Sequence, residues 1–363
     1  MKVLGLISSL TDPSSRARIL QYKDYLEKEN ISLHPKYFSP YNYADPAPWM
    51  YRLNKITKIN PWRFAWLQKT ASRLPLLLQQ HRYDLIWQNR LVLPQQSFYE
   101  KKFTKSVVFD FDDAIWLHDG EKNVAEAIAK ADMVFAGNDY LADFALKHNQ
   151  HVTIIPSVID TSKLFPVPEK LKPFTIGWIG SISNYRFLEL VKPAITDFLT
   201  ANKDSRFIIV SSEKKGPFEF DDKRILFRKW SAEKENELIN EFSIGLMPLT
   251  DDDFTRGKCS YKMLQYMACG KPVVVSPVGM NNKILATDTV GLPAVKNEDW
   301  LNAFEILKND FSFYKTCAEK GRGLVEREYS INKYCPVISN HFKKITGGET
   351  SRNKLRRHKK GNE

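Results

Sequence analysis

The sequence predicts an α/β fold built from two doubly wound, Rossmann-like parallel sheets, and three observations carry that prediction. Short apolar runs alternate with helix-like stretches along the chain, the order that builds parallel sheets covered by helices. The runs are mostly apolar throughout rather than on alternate residues, as strands buried on both faces are. They fall in two series, divided by the stretch 156–174, where Pro166, Pro168 and Pro173 stand beside Glu169 and Lys170, a linker composition.

The first series is Val3–Ile7, Asp84–Trp87, Ser106–Phe109, Met133–Ala136 and Val152–Ile155. The second is Thr175–Ile179, Phe207–Val210, Ile225–Phe227, Ile244–Met247 and Val273–Val275. Helical patterns occupy Ala17–Glu29, Ala125–Lys130, Tyr140–His148, Phe187–Leu199 and Glu233–Phe242. In RGKCSYKMLQYMACGKP, Arg256–Pro272, a short helix is predicted over Tyr261–Cys269. Ser260 suits its N-cap, Gly270 its left-handed C′ position, and Pro272 bars continuation. After Trp300 the chain reads as largely helical, with Trp300–Asn309, Phe311–Glu328 and a last segment near Ile331–Lys344. The expected domains are 1–165 and 170–328, a helix at about 329–345 packing back on the first, and a basic, disordered tail at 346–363.

A chain of 363 residues suits two domains of ordinary size. No segment approaches the roughly 20 apolar residues that span a bilayer, and MKVLGLISSL reads as a first strand rather than a signal peptide. Cys259, Cys269, Cys317 and Cys335 form no CxxC and have no partnered histidines. A disulfide framework or zinc site is not expected, and a reducing cytoplasm is the expected compartment. The net charge of +12 implies anionic partners. Between Pro46 and Tyr83 there is no acidic residue, while Arg52, Lys55, Lys58, Arg63, Lys69, Arg73 and Arg82 interleave with Trp49, Tyr51, Trp62, Phe64 and Trp66. That mixture suits peripheral contact with an anionic membrane, at the inner face of the plasma membrane. A solvated helical face over a tryptophan-containing core fits the same residues. No nucleic-acid motif is present, and nucleic acid is not an expected partner.

Lys262 stands in the first turn of the Tyr261–Cys269 helix, with Arg256 and Lys258 just before it. That turn carries roughly half a positive elementary charge, and an exposed cation there costs about 0.3–1 kcal/mol. Either these cations face water, or an anion sits among them, since bare N–H groups and cations together make a phosphate site. Ligands of doubly wound sheets bind beyond the carboxyl ends of the strands. The loops there are Ser8–Ser15, Asp110–Asp119, Gly180–Arg186, Ser211–Pro217, Arg228–Ser231 and Pro248–Ser260. Two sheets facing across a cleft would bring these loops together.

Several stretches, in this order and spacing, resemble one family. They are SSRARILQY (Ser14–Tyr22), VFDFDDAIW (Val108–Trp116), ADMVFAGNDYLADFA (Ala131–Ala145), IIPSVID (Ile154–Asp160) and IGWIGS (Ile176–Ser181). The most specific are IGLMPL (Ile244–Leu249) and GKCSYKMLQYMACGKPVV (Gly257–Val274). Over roughly residues 1–345 the chain resembles the GT-B glycosyltransferases of the large retaining family 4 (group 1). The resemblance implies a GT-B architecture, with an acceptor-binding first domain and a nucleotide-sugar donor domain second. It implies transfer with retention to a lipid-linked or polysaccharide precursor, lipopolysaccharide among them, and no cofactor or bound metal. One departure stands out. Many members carry Glu-x7-Glu across the quoted helix, and here Gly257 and Gln265 occupy those places. Gln265 can still hydrogen-bond a ribose hydroxyl, but without the charge assistance of a carboxylate. Asp252 or Asp253 is a candidate for the missing sugar contact.

Expulsion of a diphosphate builds negative charge on the departing phosphate, which positioned cations and N–H groups stabilise. Lys262 and Arg186 are the candidates for that role, joined by Lys258. Gly180 and Ser181 suit close backbone approach to phosphate, and Trp230 either a place near the base or one in the core. On the first domain, Ser14, Ser15 and Arg16 either line the site near acceptor or diphosphate, or Ser14 or Ser15 simply caps the next helix. Asp110, Asp112 and Asp113 crowd one loop, which is either a solvated acidic loop or one with a use; in the second case Asp112 and Asp113 position the acceptor hydroxyl, and His118 is either in a polar role nearby or incidental. Two other readings stay open: a sugar-nucleotide epimerase of the same architecture, and a non-catalytic basic module that binds membrane.

Overall fold

The chain divides into two units, Met1–Pro156 with Tyr334–Glu363, and Ser157–Lys333. The computed structural model describes residues 1–37, 48–58, 60–168, 173–213 and 222–360, with backbone alone at 48–50 and 348–360. Part of the Ser211–Pro217 loop, the Trp49 side chain and the side chains of the basic tail therefore lie outside the described residues.

The first unit holds β1 (Lys2–Leu6), β2 (Ser32–Lys36), β3 (Leu85–Asn89), β4 (Ser106–Phe111), β5 (Met133–Ala136) and β6 (Val152–Ile154). They form one parallel sheet in the order β2-β1-β3-β4-β5-β6. The order reverses at β1, so the crevice between the carboxyl ends of β1 and β3 is the topological switch point. β2 was not anticipated. Its sequence, SLHPK, is polar and buries only Leu33, and a proline is tolerated at an edge strand. The expected helix Ala17–Glu29 is broken into a helix Pro13–Arg18, a 3-10 turn Leu20–Tyr22 and a helix Lys23–Lys28. Ile19 leaves helical geometry at φ −125°, and the break lets Ile19 and Tyr22 both bury.

The last helix runs Ile331–Lys360, beyond the end expected near Lys344. Its backbone continues through residues read as a disordered tail, where lysines and arginines favour helix and no proline follows Pro336. The part from Tyr334 belongs to the first unit. There Phe342 packs its ring edge-on to Trp87 at 5.2 Å and stacks on Phe135 at 6.2 Å. Lys343 donates to Glu29 at 3.1 Å.

The second unit holds β7 (Thr175–Ile179), β8 (Arg206–Ser211), β9 (Ile225–Lys229), β10 (Ile244–Met247), β11 (Val273–Val275) and β12 (Gly291–Pro293). Its sheet is again parallel, in the order β12-β11-β10-β7-β8-β9, with the switch point between β7 and β10. β12 was missed because three residues ending in proline carry no periodic signal. The expected helix Phe187–Leu199 is a 3-10 stretch Ile182–Leu190 followed by a helix Lys192–Ala201. Pro193 explains the division: lacking an N–H, it fits the start of a helix and not its interior. One face of the sheet buries Trp178, Phe198, Trp300 and Phe304, the other Phe242, Met263, Tyr266 and Met267. Two central glycines permit the second layer to approach. A Cβ on Gly177 would lie 2.0 Å from the Phe242 ring, and one on Gly245 would lie 2.2 Å from the Tyr266 ring.

Candidate functional site

In the second unit β7 and β10 pair only through Ile176–Gly177 and Ile244–Gly245. Past that point they separate, and the Tyr266 hydroxyl stands between them. The Ile179 N–H donates to it at 3.0 Å, and it donates to the Leu246 carbonyl at 3.1 Å. Both backbone groups would otherwise be buried without partners, so one phenol holds the crevice open and satisfies its walls. Burial holds the Tyr266 phenol well above its ordinary range.

At the mouth of this crevice the chain turns at Gly180, whose N–H donates to the Val210 carbonyl at 3.0 Å. A Cβ there would meet the Trp178 ring at 2.5 Å and Lys262 Cε at 3.1 Å. Glycine thus lets Trp178 and Lys262 come together, with Lys262 Nζ 5.3 Å from the ring centre. The pairing supplies a partner for a cation at a helix start, of the order of 0.5–1 kcal/mol where exposed. Arg186 and Lys258 meet on either count at Phe254: the guanidinium lies 6.0 Å and the ammonium 4.4 Å from its ring centre. Arg186 also lies 4.8 Å over Phe187. The structure therefore brings Gly180, Lys262, Arg186 and Lys258 to one end of the sheet. An aromatic ring lies beside each of the three cations. Arg256 pairs with Asp251 at 2.7 Å and Asp253 at 3.7 Å.

The helix itself runs Tyr261–Ala268. Ser260 does not cap it, contrary to expectation. It sits in the left-handed region at φ 53°, and its hydroxyl instead donates to the buried Asn281 Oδ1 at 2.6 Å. The Ser260 side chain therefore makes no cap hydrogen bond to the first turn. Gly270 takes the left-handed C′ conformation at φ +66° as expected. Gln265 is 3% exposed, and its side-chain amide makes no hydrogen bond among the described residues. Ser181 is exposed and receives the Asn184 amide at 2.7 Å. Trp230 donates its indole N–H to Glu235 at 2.9 Å and packs on the core, which accounts for it structurally. Asp252 is the N-cap of the short helix Asp253–Arg256, accepting from the Thr255 N–H at 2.8 Å and the Thr250 hydroxyl at 2.6 Å.

In the first unit the crowded aspartates have partners that sequence reading missed. Asp110 is fully buried and accepts from Arg18 Nε at 2.7 Å and Trp87 Nε1 at 3.0 Å. Burial raises its pKa, against the pull of Arg18. Arg90 reaches Asp112 at 3.1 Å and Asp113 at 2.7 Å from one nitrogen. Burial acts to raise the Asp112 carboxyl, but Arg90, Arg18 and the Ser14 hydroxyl outweigh it and hold it below the usual carboxylate range. The like-charge crowding expected from sequence is thus relieved by two arginines. Ser14 donates to Asp112 at 2.6 Å, and Asn89 donates to Ser14 at 3.2 Å. Ser15 is fully buried and turned inward, accepting from the Ser8 N–H and donating to Asp12. The helix Pro13–Arg18 is capped by Asp12, not by Ser14 or Ser15. Arg16 is half-buried, and His118 is exposed on the helix Trp116–Asp119.

A small pocket opens at this unit's switch point, lined by Leu6, Ile7, Ser8, Gln88, Asn89, Leu91 and Val92. Gln88 donates to Glu100 Oε1 at 2.6 Å, which also accepts from the Val92 N–H at 2.9 Å. Burial pushes the Glu100 carboxyl up to about 6. Among the described residues no group of His, Cys, Asp or Glu could hold a metal ion. No described helix is long and apolar enough to cross a membrane.

Two doubly wound parallel sheets, each reversing order at its first strand, define the GT-B class of fold. Sucrose-phosphate synthase from Thermosynechococcus elongatus shares it at a TM-score of 0.69 and 12% identity, over 96% of this chain and 100% of that one. Anabaena Alr3699/HepE, in complex with UDP and glucose, does so at 0.65 and 14%, over 94% and 99%. A glycosyltransferase from Rickettsia africae does so at 0.65 and 13%, over 95% and 98%. Within the chain, residues 173–309 match the family model described as Glycosyl transferases group 1. No curated protein sequence matches the chain.

Proposed function

We propose that the chain is a glycosyltransferase that moves a sugar from a nucleotide-sugar donor to a glycan or lipid-linked precursor, with retention of anomeric configuration. The observation that carries this reading is the group Lys262, Arg186 and Lys258 at the carboxyl end of a switch-point crevice, inside the segment that matches group 1 glycosyl transferases. The donor diphosphate lies against these cations and the start of the helix Tyr261–Ala268. As the anomeric C–O bond breaks, its electron pair passes to the phosphate oxygen, and fixed cations stabilise that charge without reorganisation. The acceptor oxygen bonds the same face of the anomeric carbon, and its proton goes to the departing phosphate. Cations and backbone N–H groups supply the charge stabilisation, so the reaction needs no metal. Gln265, buried with an unspent amide, bonds the ribose. Asp112 and Asp113, ionised beside Arg90, orient the acceptor hydroxyl on the first unit, and the acceptor is a precursor presented on the cytoplasmic side.

Because Anabaena HepE binds UDP, UDP-sugars are the first donors to try. A thermal-shift panel of UDP-, GDP-, ADP- and CMP-sugars tests the reading, with stabilisation by one nucleotide class expected. No shift with any of them counts against it. Product analysis with and without acceptor then separates a transferase, which needs the acceptor, from an epimerase, which does not.

A further inference from the structure

The helices Pro48–Thr57, Pro61–Arg73 and Pro75–Gln79 reverse the ordinary arrangement of a surface helix. Asn60 starts the second by accepting from the Trp62 N–H at 2.8 Å. Its inward positions are Ala65 and Arg73, followed by Leu76 on the third helix. Arg73 is not part of a basic surface, as its sequence context suggested; it is fully buried and donates to the Val92 and Lys69 carbonyls. Many of the outward positions are large and apolar. Trp62 and Leu67 are each 53% exposed, Trp66 41%, Leu74 48%, Leu78 79% and, on the first helix, Ile56 81%. Trp62 and Trp66 stand four residues apart on Pro61–Arg73, so they share one face of that helix. Two exposed tryptophans on one face, with further large apolar side chains exposed nearby in sequence, mark an interaction surface.

Charge selects the occupant. Arg52, Lys55, Lys58 and Arg63 are exposed on the first two of these helices and the link between them, and residues 46–83 contain no carboxylate. A second copy of the same surface would bring cation against cation. An anionic bilayer accepts both features, because tryptophans settle at the headgroup level and cations are drawn to the negative surface potential. We infer that this helical face docks on an anionic phospholipid membrane, with Trp62, Trp66 and Leu67 inserted and Arg52, Lys55 and Lys58 held at the headgroups. The inference is independent of the transferase reading, since it needs neither donor nor acceptor.

The test is flotation of the full chain with phosphatidylcholine vesicles, with and without phosphatidylglycerol, alongside sedimentation of the chain alone. Binding is expected only with phosphatidylglycerol and is weakened by salt. Each neutralised cation is expected to lower the partition coefficient about fivefold, from roughly 1 kcal/mol per charge near the surface. The variant Arg52→Gln/Lys55→Gln/Lys58→Gln then loses about a hundredfold. Trp62→Ala/Trp66→Ala should lose binding with its circular dichroism unchanged, as both side chains are exposed. Equal binding to both vesicle types, unchanged binding in both variants, or a concentration-dependent dimer that dissociates on Trp62→Ala/Trp66→Ala would overturn it.

Discussion

Tyr266→Phe removes a single oxygen from the core of the second unit. That oxygen joins the Ile179 N–H, at 3.0 Å, to the Leu246 carbonyl, at 3.1 Å. Both residues are buried, and Tyr266 is fully so, so the phenylalanine ring keeps its packing while two backbone groups lose a partner. A buried donor left unpaired costs about 1–3 kcal/mol. A carbonyl with a second lone pair costs less, which puts the expected loss at about 2–4 kcal/mol. For a unit of this size the melting temperature should fall by roughly 2–4 °C per kcal/mol. Chemical denaturation gives the loss directly, and amide hydrogen exchange at Ile179 gives its location, since that N–H should exchange faster while the amides of β8 keep their protection. A loss below about 0.5 kcal/mol, with Ile179 still protected, would mean that the strands close on each other without the hydroxyl. The hydroxyl would then not be what spaces the crevice.

Other outcomes follow from the same structure. Lys262→Ala and Arg186→Ala should keep the melting temperature within a few degrees, because neither side chain is buried, yet lower turnover by about a hundredfold or more; wild-type turnover in both would remove the donor-site assignment. Glu100 has its carboxyl raised from 4.5 to about 6 by burial. The folded state therefore binds more protons than the unfolded one between those values, and stability falls as pH rises through them, by about 2 kcal/mol. Glu100→Gln should flatten that slope and lie above the parent at neutral pH; denaturation midpoints that run parallel across the window would contradict it. Turnover should survive a chelator unchanged, and loss that added magnesium restores would reverse the metal-free reading.

The alternation of apolar runs and helical patterns determined two parallel sheets, because a strand buried on both faces must be apolar along its whole length. Thr175–Ile179, Ile244–Met247, Val273–Val275 and Met133–Ala136 were legible to the residue. Ser32–Lys36 and Gly291–Pro293 were not, since edge strands bury little and leave no pattern. Gly270 and Pro272 marked a helix end through backbone chemistry that acts locally. The cations at 186, 258 and 262 could be picked out from charge at a helix start and from motif order. That they would settle on Trp178 and Phe254 could not, because those rings are distant in sequence from some of their partners. The aspartates at 110, 112 and 113 looked like an excess of charge until the fold carried Arg18 and Arg90 to them. The same holds for Tyr266, which resembles any aromatic on an apolar helix face. Sequence alone thus determined what each segment buries, since burial follows from local composition. Tertiary structure decided which polar groups meet, since a hydrogen bond or ion pair depends on positions that only the closed chain brings within 3 Å.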